Sequence, residues 1–259
     1  MKAWGVGLAC LVAGVALGAA GMGMRAARPS RACPTCPPVA SGAASAAGKC
    51  PVHYDAGGAM KVDNQAETDR LRRALKDGIF APWTEMGRAP TPAEFAKRMQ
   101  LPQAEADRLL DRLQACGESV GGGILRAPES QLIAVAWPLA NLPTGITVTT
   151  AGGKPAFARC AIDALGVSEM MQKRTVVEAS ARDNDATIRF VVDGDKAVSA
   201  DPPGVVVVKG RGCDDMSFFS SREAGEAWRK QNGGEGTLFT LPEAIQRGAK
   251  IFSRETAGL

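Results

Sequence analysis

Histidine is almost absent from this chain of 259 residues, and aromatic residues make up only 5% of it. The single histidine, His53, stands in a stretch rich in glycine, alanine and proline, far along the chain from the C-terminal half. Acid–base catalysis in that half would therefore depend on carboxylates and thiols. The net charge of +4 is mild, and with so few aromatic residues it argues against a nucleic acid or an acidic polymer as partner.

The cysteines are too few and too widely spaced for a dense disulfide scaffold. Their number, seven, is odd, so they cannot all pair within one chain. The hydrophobic content of 45% predicts a largely globular protein with one sizeable core and a smaller module. The cysteines are Cys10, Cys33, Cys36, Cys50, Cys116, Cys160 and Cys213.

An uncharged apolar run covers residues 5–24, about the length that spans a bilayer as a helix. We interpret residues 1–24 as a membrane anchor or as a signal peptide, with small residues at 19–21 for cleavage. Only Lys2 precedes the run, whereas three arginines follow it at 25–31, which favours a cytoplasmic position for the rest of the chain. Export after cleavage is the alternative.

Residues 25–60 are rich in alanine, glycine, proline and serine and are typical of a flexible linker. The linker contains the pair Cys33 and Cys36, whose CxxC spacing suits capture of a soft metal or a dithiol cycle. No strand–helix pattern surrounds the pair, so thioredoxin-like chemistry is not expected. Cys50 and His53 follow in the same linker without an assignable role.

Residues 61–128 predict a helical, winged-helix-like module. Thr91 and Glu94 have the spacing of a capping box, with proline between them at the first helical position. A second helix is expected over 103–115, followed by a glycine-rich turn at 121–123. Because this second helix mixes acidic and basic residues, a packing role is favoured over DNA binding.

Residues 129–259 predict an α+β catalytic core, a mixed β-sheet with flanking helices. Strands and helices mix without the regular order of βαβ units, and no internal repeat is present. The expected strands, rich in β-branched residues, are 132–137, 146–150, 175–180, 187–192 and 205–208. The expected helices are 160–171, 221–231 and 242–250.

Three residues of this core form a candidate site. Cys160 and Asp163 are three positions apart on a predicted helix, so their side chains share a face, and the helix start favours a thiolate at Cys160. Cys213 follows a buried strand and lies in a glycine-containing loop. Taken alone, the spacing favours a structural interpretation, with a buried cysteine and an aspartate that stabilises a helix terminus.

Two segments resemble the organomercurial (alkylmercury) lyase family. Residues 157–165 resemble the family segment in which an aromatic residue precedes Cys-Ala-x-Asp-x-Leu. Cys213 followed by phenylalanines at 218–219 resembles the family's second catalytic cysteine, and Trp228 fits a tryptophan in the helix that follows. The resemblance covers residues 70–252.

The chain departs from the family pattern in three places. Residues 177–183 lack a third cysteine that some members carry, and Asp214 stands where many members have a second cysteine beside the later catalytic one. The apolar N-terminus and the cysteine-bearing linker are additions to the family's pattern.

The resemblance implies protonolysis of a carbon–mercury bond, which gives a hydrocarbon and Hg(II) and would serve detoxification and mercury resistance. Mercury is soft and selects thiolates; Cys213 is expected to bind it first, Cys160 second, and Asp163 to carry the proton to carbon. An ordinary aspartate, with a pKa of about 3.9, must first take that proton from a thiol or be raised in pKa by burial.

No organic cofactor is implied. Removal of Hg(II) would need low-molecular-weight thiols or a mercuric reductase, with Cys33 and Cys36 as a relay.

The residues also leave three other functions open. A membrane-tethered binding protein or metallochaperone could hold copper or mercury with the same two sulfurs, without catalysis. A regulator could bind DNA through the helical module. Thiol–disulfide exchange between Cys160 and Cys213 is the third, although the predicted folded part has no CxxC pair.

Overall fold

The computed structural model describes residues 49–54, 60–120, 122–210 and 215–253. The predicted anchor over 1–24 and most of the predicted linker lie outside these ranges. Among the residues described, no helix is long and apolar enough to cross a bilayer.

Helices dominate the first part of the described chain. Side chains cap two of them: Asn64 accepts from the backbone of Glu67, and Thr91 forms the predicted capping box with Glu94. Their apolar faces enclose large buried side chains such as Trp83. The helices are Gln65–Arg73 (α1), Ala81–Met86 (α2), Pro92–Met99 (α3) and Gln103–Cys116 (α4), with a π-helical segment Ala74–Phe80 between α1 and α2 and a 3-10 turn Gly117–Val120 after α4.

A short antiparallel ribbon of Val52–Tyr54 (β1) and Met60–Val62 (β2) precedes α1. A disulfide joins Cys50 to Cys116 at the end of α4. The structure therefore differs from the predicted linker at its C-terminal end, because this part of it is ordered by strand pairing and by a covalent tie to the helices.

The main sheet has eight strands in the order β10-β9-β8-β6-β7-β5-β4-β3. Every pairing between its strands is antiparallel, whereas the sequence predicts a mixed sheet. The links between neighbouring strands are mostly short, and a parallel pair would need a long crossover. The strands are Ile124–Arg126 (β3), Ile133–Ala136 (β4), Leu139–Ala140 (β5), Ile146–Thr150 (β6), Ala156–Ala158 (β7), Thr175–Ser180 (β8), Thr187–Asp193 (β9) and Lys196–Asp201 (β10).

A second, three-stranded antiparallel sheet has the order β12-β11-β13. Its strands are Val206–Lys209 (β11), Met216–Phe219 (β12) and Thr237–Thr240 (β13). Three helices complete the core: Ala161–Met171 (α5), Arg222–Gln231 (α6) and Leu241–Phe252 (α7).

Helix α5 is the centre of the core. It contacts β6 to β9 of the main sheet on one side and α7 and β12 on others, and nearly all of its residues are buried. Two glycines allow α5 and α7 to cross closely: a Cβ on Gly166 would lie 2.8 Å from the carbonyl oxygen of Gly248. This close crossing fixes the depth at which α5, and the side chains at its start, sit in the protein.

The α+β class is confirmed, as a large antiparallel sheet with several helices. The predicted helix starts and the long β-branched strands agree with the structure to within two residues. The winged-helix description of the first module stays a prediction. Strand β3 lies before the expected boundary at 128 and pairs with β4 after it, so the main sheet extends across that boundary.

Candidate active site

Cys160 and Asp163 lie together at the start of α5, as the sequence predicts. Cys160 is the N-cap residue in an extended conformation, and Asp163 lies in the first turn. Their exposed fractions are 2% and 6%. Because residues three apart lie on the same side of a helix, the thiol and the carboxyl group are directed to the same part of the interior.

The chain enters α5 from strand β7, and contacts around Arg159 hold the approach. The backbone N–H of Arg159 donates to the carbonyl oxygen of Pro138 at 3.0 Å. The Arg159 guanidinium lies over the ring of Trp137, 4.7 Å from its centroid. This cation–π contact places a fixed positive charge one residue before Cys160.

A second sulfur lies beside the Cys160 thiol. The Sγ atom of Cys160 is 3.8 Å from the Sδ atom of Met216, at the start of β12. Met216 and Phe218 face the main core, since alternate residues of a strand share a face. The Phe218 ring packs edge-on against Phe190 of β9, with centroids 5.1 Å apart, and this contact anchors β12 to the main sheet.

Cys213 lies in the loop between β11 and β12, at a position outside the described residues, as does Asp214. The loop's two ends are held together: Lys209 pairs with Met216, and the Gly210 N–H donates to the Asp215 carbonyl oxygen at 3.1 Å. A Cβ at Gly210 would lie 2.3 Å from the Asp215 Cβ, so only glycine fits this closure.

The turn between β8 and β9 also holds β12 in place. The Arg182 guanidinium donates to the Ser217 hydroxyl at 3.0 Å and lies 4.9 Å from the Trp228 ring centroid of α6. Asp183 accepts from both the backbone and the hydroxyl of Ser220. The small sheet is thereby tied to the main sheet on both sides of Phe218.

The other cysteines and the histidine singled out in the sequence lie elsewhere. Cys50 is in the disulfide with Cys116, and His53 lies on β1, with its Nδ1 3.4 Å from Asp63 Oδ2. Cys33 and Cys36 lie outside the described residues. Within the described part of the chain, no group of three or more histidine, cysteine, aspartate or glutamate side chains is placed to hold a metal ion.

Met216 belongs to the site, but the sequence alone did not identify it as a site residue. Its alternation with Phe218 predicts a common face, but its distance to Cys160 depends on how β12 packs against α5, across 56 positions of sequence.

Comparison with known proteins finds similarity to alkylmercury lyases. The model of the alkylmercury lyase family matches residues 139–253, a span that includes Cys160, Asp163 and Cys213. Over 221 residues the chain is 25% identical to the alkylmercury lyases of Bacillus cereus and of Clostridium butyricum, covering 75% of this chain and 94% of each relative. The fold resembles the crystal structure of the mercury-bound form of MerB2, with a TM-score of 0.53, 19% identity, and coverage of 73% of this chain and 100% of that one. By the family match over residues 139–253 and by the aligned relatives, this chain is similar to the alkylmercury lyases.

Proposed function

We propose that this protein cleaves the carbon–mercury bond of organomercurials by protonolysis, giving a hydrocarbon and Hg(II). The observation that carries the proposal is the buried pair of Cys160 and Asp163, one helical turn apart at the start of α5. The alkylmercury lyases that the chain resembles supply the reaction class.

Two sulfurs are needed because a soft metal selects thiolates, and two of them donate enough electron density to make the mercury-bound carbon basic. We assign the first to Cys213 and the second to Cys160. The start of α5 favours a thiolate at Cys160, since the unpaired amides and the helix dipole stabilise negative charge there. The contact between Met216 and Cys160 supports this assignment, because Lys209 and Met216, which flank the loop whose sequence contains Cys213, pair with each other next to Cys160.

The proposed reaction has two proton transfers, both through Asp163. Cys213 passes its proton to Asp163 as its sulfur displaces the exchangeable ligand of mercury. Cys160, held as a thiolate at the start of α5, then binds as the second sulfur. The carbon–mercury bond breaks with its electron pair on carbon, which takes the proton from Asp163. Nothing is oxidised or reduced, and Hg(II) stays on two sulfurs.

The burial of Cys160 and Asp163 favours this reaction. Asp163 is 6% exposed, so the groups that exchange its proton are those packed around the start of α5. Exclusion of water also keeps the proton directed to carbon rather than lost to solvent.

Product analysis tests the proposal. The protein, incubated with phenylmercury acetate and excess glutathione, should release benzene, measured by gas chromatography of the headspace. Cys160→Ser and Cys213→Ser should each lower the rate by about a hundredfold or more, since oxygen is a poor donor for a soft metal. Cys10→Ser, the same substitution in the N-terminal apolar segment, should leave the rate unchanged. Mercury binding without benzene would instead indicate a soft-metal binding protein and contradict the proposal.

Turnover needs an acceptor for Hg(II). We assign this role to low-molecular-weight thiols or a mercuric reductase, with Cys33 and Cys36 as a relay on the N-terminal side and no organic cofactor. The relay predicts that a Cys33→Ala/Cys36→Ala variant passes Hg(II) to a reductase more slowly. An unchanged transfer rate would contradict it.

The Cys50–Cys116 disulfide indicates the cellular compartment in which the protein resides. Disulfides persist in oxidising compartments and are rare in the cytosol. The Cys50–Cys116 bond therefore favours export over the cytoplasmic side that the N-terminal charges suggest, with residues 1–24 as signal or tether. Protease added to intact cells or spheroplasts should degrade the exported protein. Degradation only after lysis would place the protein in the cytoplasm.

A further inference from the structure

We propose that Met216 is a third sulfur donor to mercury in this site, binding the metal together with Cys160. The inference rests on the proposed lyase function and adds a ligand to it. It concerns a thioether that neither the family match nor the relatives assign.

The distance between the two sulfurs is the first reason. Two sulfur ligands about 2.3 Å from one tetrahedral metal ion lie roughly 3.8 Å apart. The Cys160 Sγ and Met216 Sδ atoms are 3.8 Å apart in this structure. The spacing of the two sulfurs is therefore the one that two ligands of a single tetrahedral ion adopt.

The chemistry of the thioether is the second reason. Thioether sulfur, like thiolate, is a soft ligand, and it carries no proton. Its lone pair forms a dative bond to mercury, so no proton, electron or leaving group is transferred. Added electron density on mercury weakens its bond to carbon, and the same donor keeps Hg(II) bound after the hydrocarbon leaves.

The support around Met216 is the third reason. Its strand is fixed by pairing with Lys209, by the ring contact of Phe218 with Phe190, and by the hydrogen bond from Arg182 to Ser217. A donor held in place by packing and hydrogen bonds loses little freedom when it binds a metal.

Selenomethionine labelling tests the contact without changing the shape of the site. The protein contains nine methionines. X-ray absorption at the selenium edge, on labelled protein loaded with one equivalent of mercuric chloride, should show mercury as a direct neighbour of selenium. The signal should disappear in Met216→Leu and persist in Met170→Leu, the same substitution at a buried methionine farther along α5.

Affinity gives an independent readout. Met216→Leu is a nearly volume-conserving change that costs less than about 1.5 kcal/mol of stability, which thermal unfolding will check. In competition with dithiothreitol, this variant should hold Hg(II) about tenfold more weakly than the wild type and than Met170→Leu. Equal affinity, or selenium without a mercury neighbour, would overturn the proposal. A wild-type protein that releases no benzene would refute the lyase function instead, and the selenium spectrum would still decide the role of Met216.

Discussion

Among single residues, Gly210 controls how closely the two ends of the Cys213 loop approach. An alanine Cβ there would lie 2.3 Å from the Asp215 Cβ, so Gly210→Ala must separate the loop ends. We expect benzene release to slow by about a hundredfold, since a displacement of about 1 Å at a reacting group can cost that much. The unfolding temperature should change little.

Gly225→Ala in α6 is the matched control, because its new Cβ would meet only side-chain carbons, at 3.0 to 3.2 Å. An unchanged rate in Gly210→Ala would show that the closure of the loop is not needed to place Cys213.

Local spacing explains which site residues the sequence reveals. Cys160 and Asp163 were predictable together because a three-residue separation on one helix is a local relation. The contact of Met216 with Cys160 was not, since it arises only when β12 packs against α5. The pairing of Cys50 with Cys116 was equally hidden, because it joins positions 66 apart in sequence.

Helix α3 carries a pH-sensitive cap. Hydrogen bonds from Arg88 and from the backbone of Thr91 lower the pKa of Glu94 from 4.5 to about 2. Since the folded-state pKa is the lower one, this cap stabilises the fold fully above about pH 4.5 and is lost as the pH falls towards 2. The effect should be small, because the Glu94 side chain is 40% exposed.

Urea unfolding at pH 6 and pH 3 measures this contribution. The free energy of unfolding should fall more between these values in the wild type than in Glu94→Gln, which cannot titrate at this position. Equal losses in the two proteins would show that the Arg88–Glu94 pair has no part in acid sensitivity.

Elements differ in how readily the sequence reveals them. The helices α3 and α6 were predictable because the residues before them, Thr91 and Ser221, cap them with their side chains. The three- and four-residue strands β7, β12 and β13 were not, since so short a run shows little alternation and forms only against its partners.

Across the whole molecule, the Cys50–Cys116 bond ties the N-terminal ribbon to the helical module. It closes a span of 66 positions, which by chain entropy stabilises the fold by about 4 kcal/mol. The Cys50→Ser/Cys116→Ser double variant should lose stability of this order in urea unfolding and retain the rate of benzene release. A double variant as stable as the wild type would mean that the ribbon and α4 are held together by packing alone.

The fold class was predictable and the sheet order was not. Alternating β-branched strands and capped helices are local signals of an α+β protein. The order of eight strands and the position of α5 against α7 depend on contacts far apart in sequence, such as the close approach of Gly166 and Gly248. The prediction of a mixed sheet was wrong for the same reason. Whether two neighbouring strands run parallel or antiparallel depends on which strands pair.

The most direct measurement is single-turnover release of benzene from bound phenylmercury in Asp163→Ala and Asp163→Asn. Both variants should bind phenylmercury as the wild type does, through Cys213 and Cys160. They should release benzene 10²- to 10⁴-fold more slowly, in the range that loss of a positioned proton donor costs. Asp193→Asn, at an exposed ion pair on β9, should match the wild type. Benzene release at the wild-type rate from Asp163→Ala, or cleavage retained while binding is lost, would contradict the account.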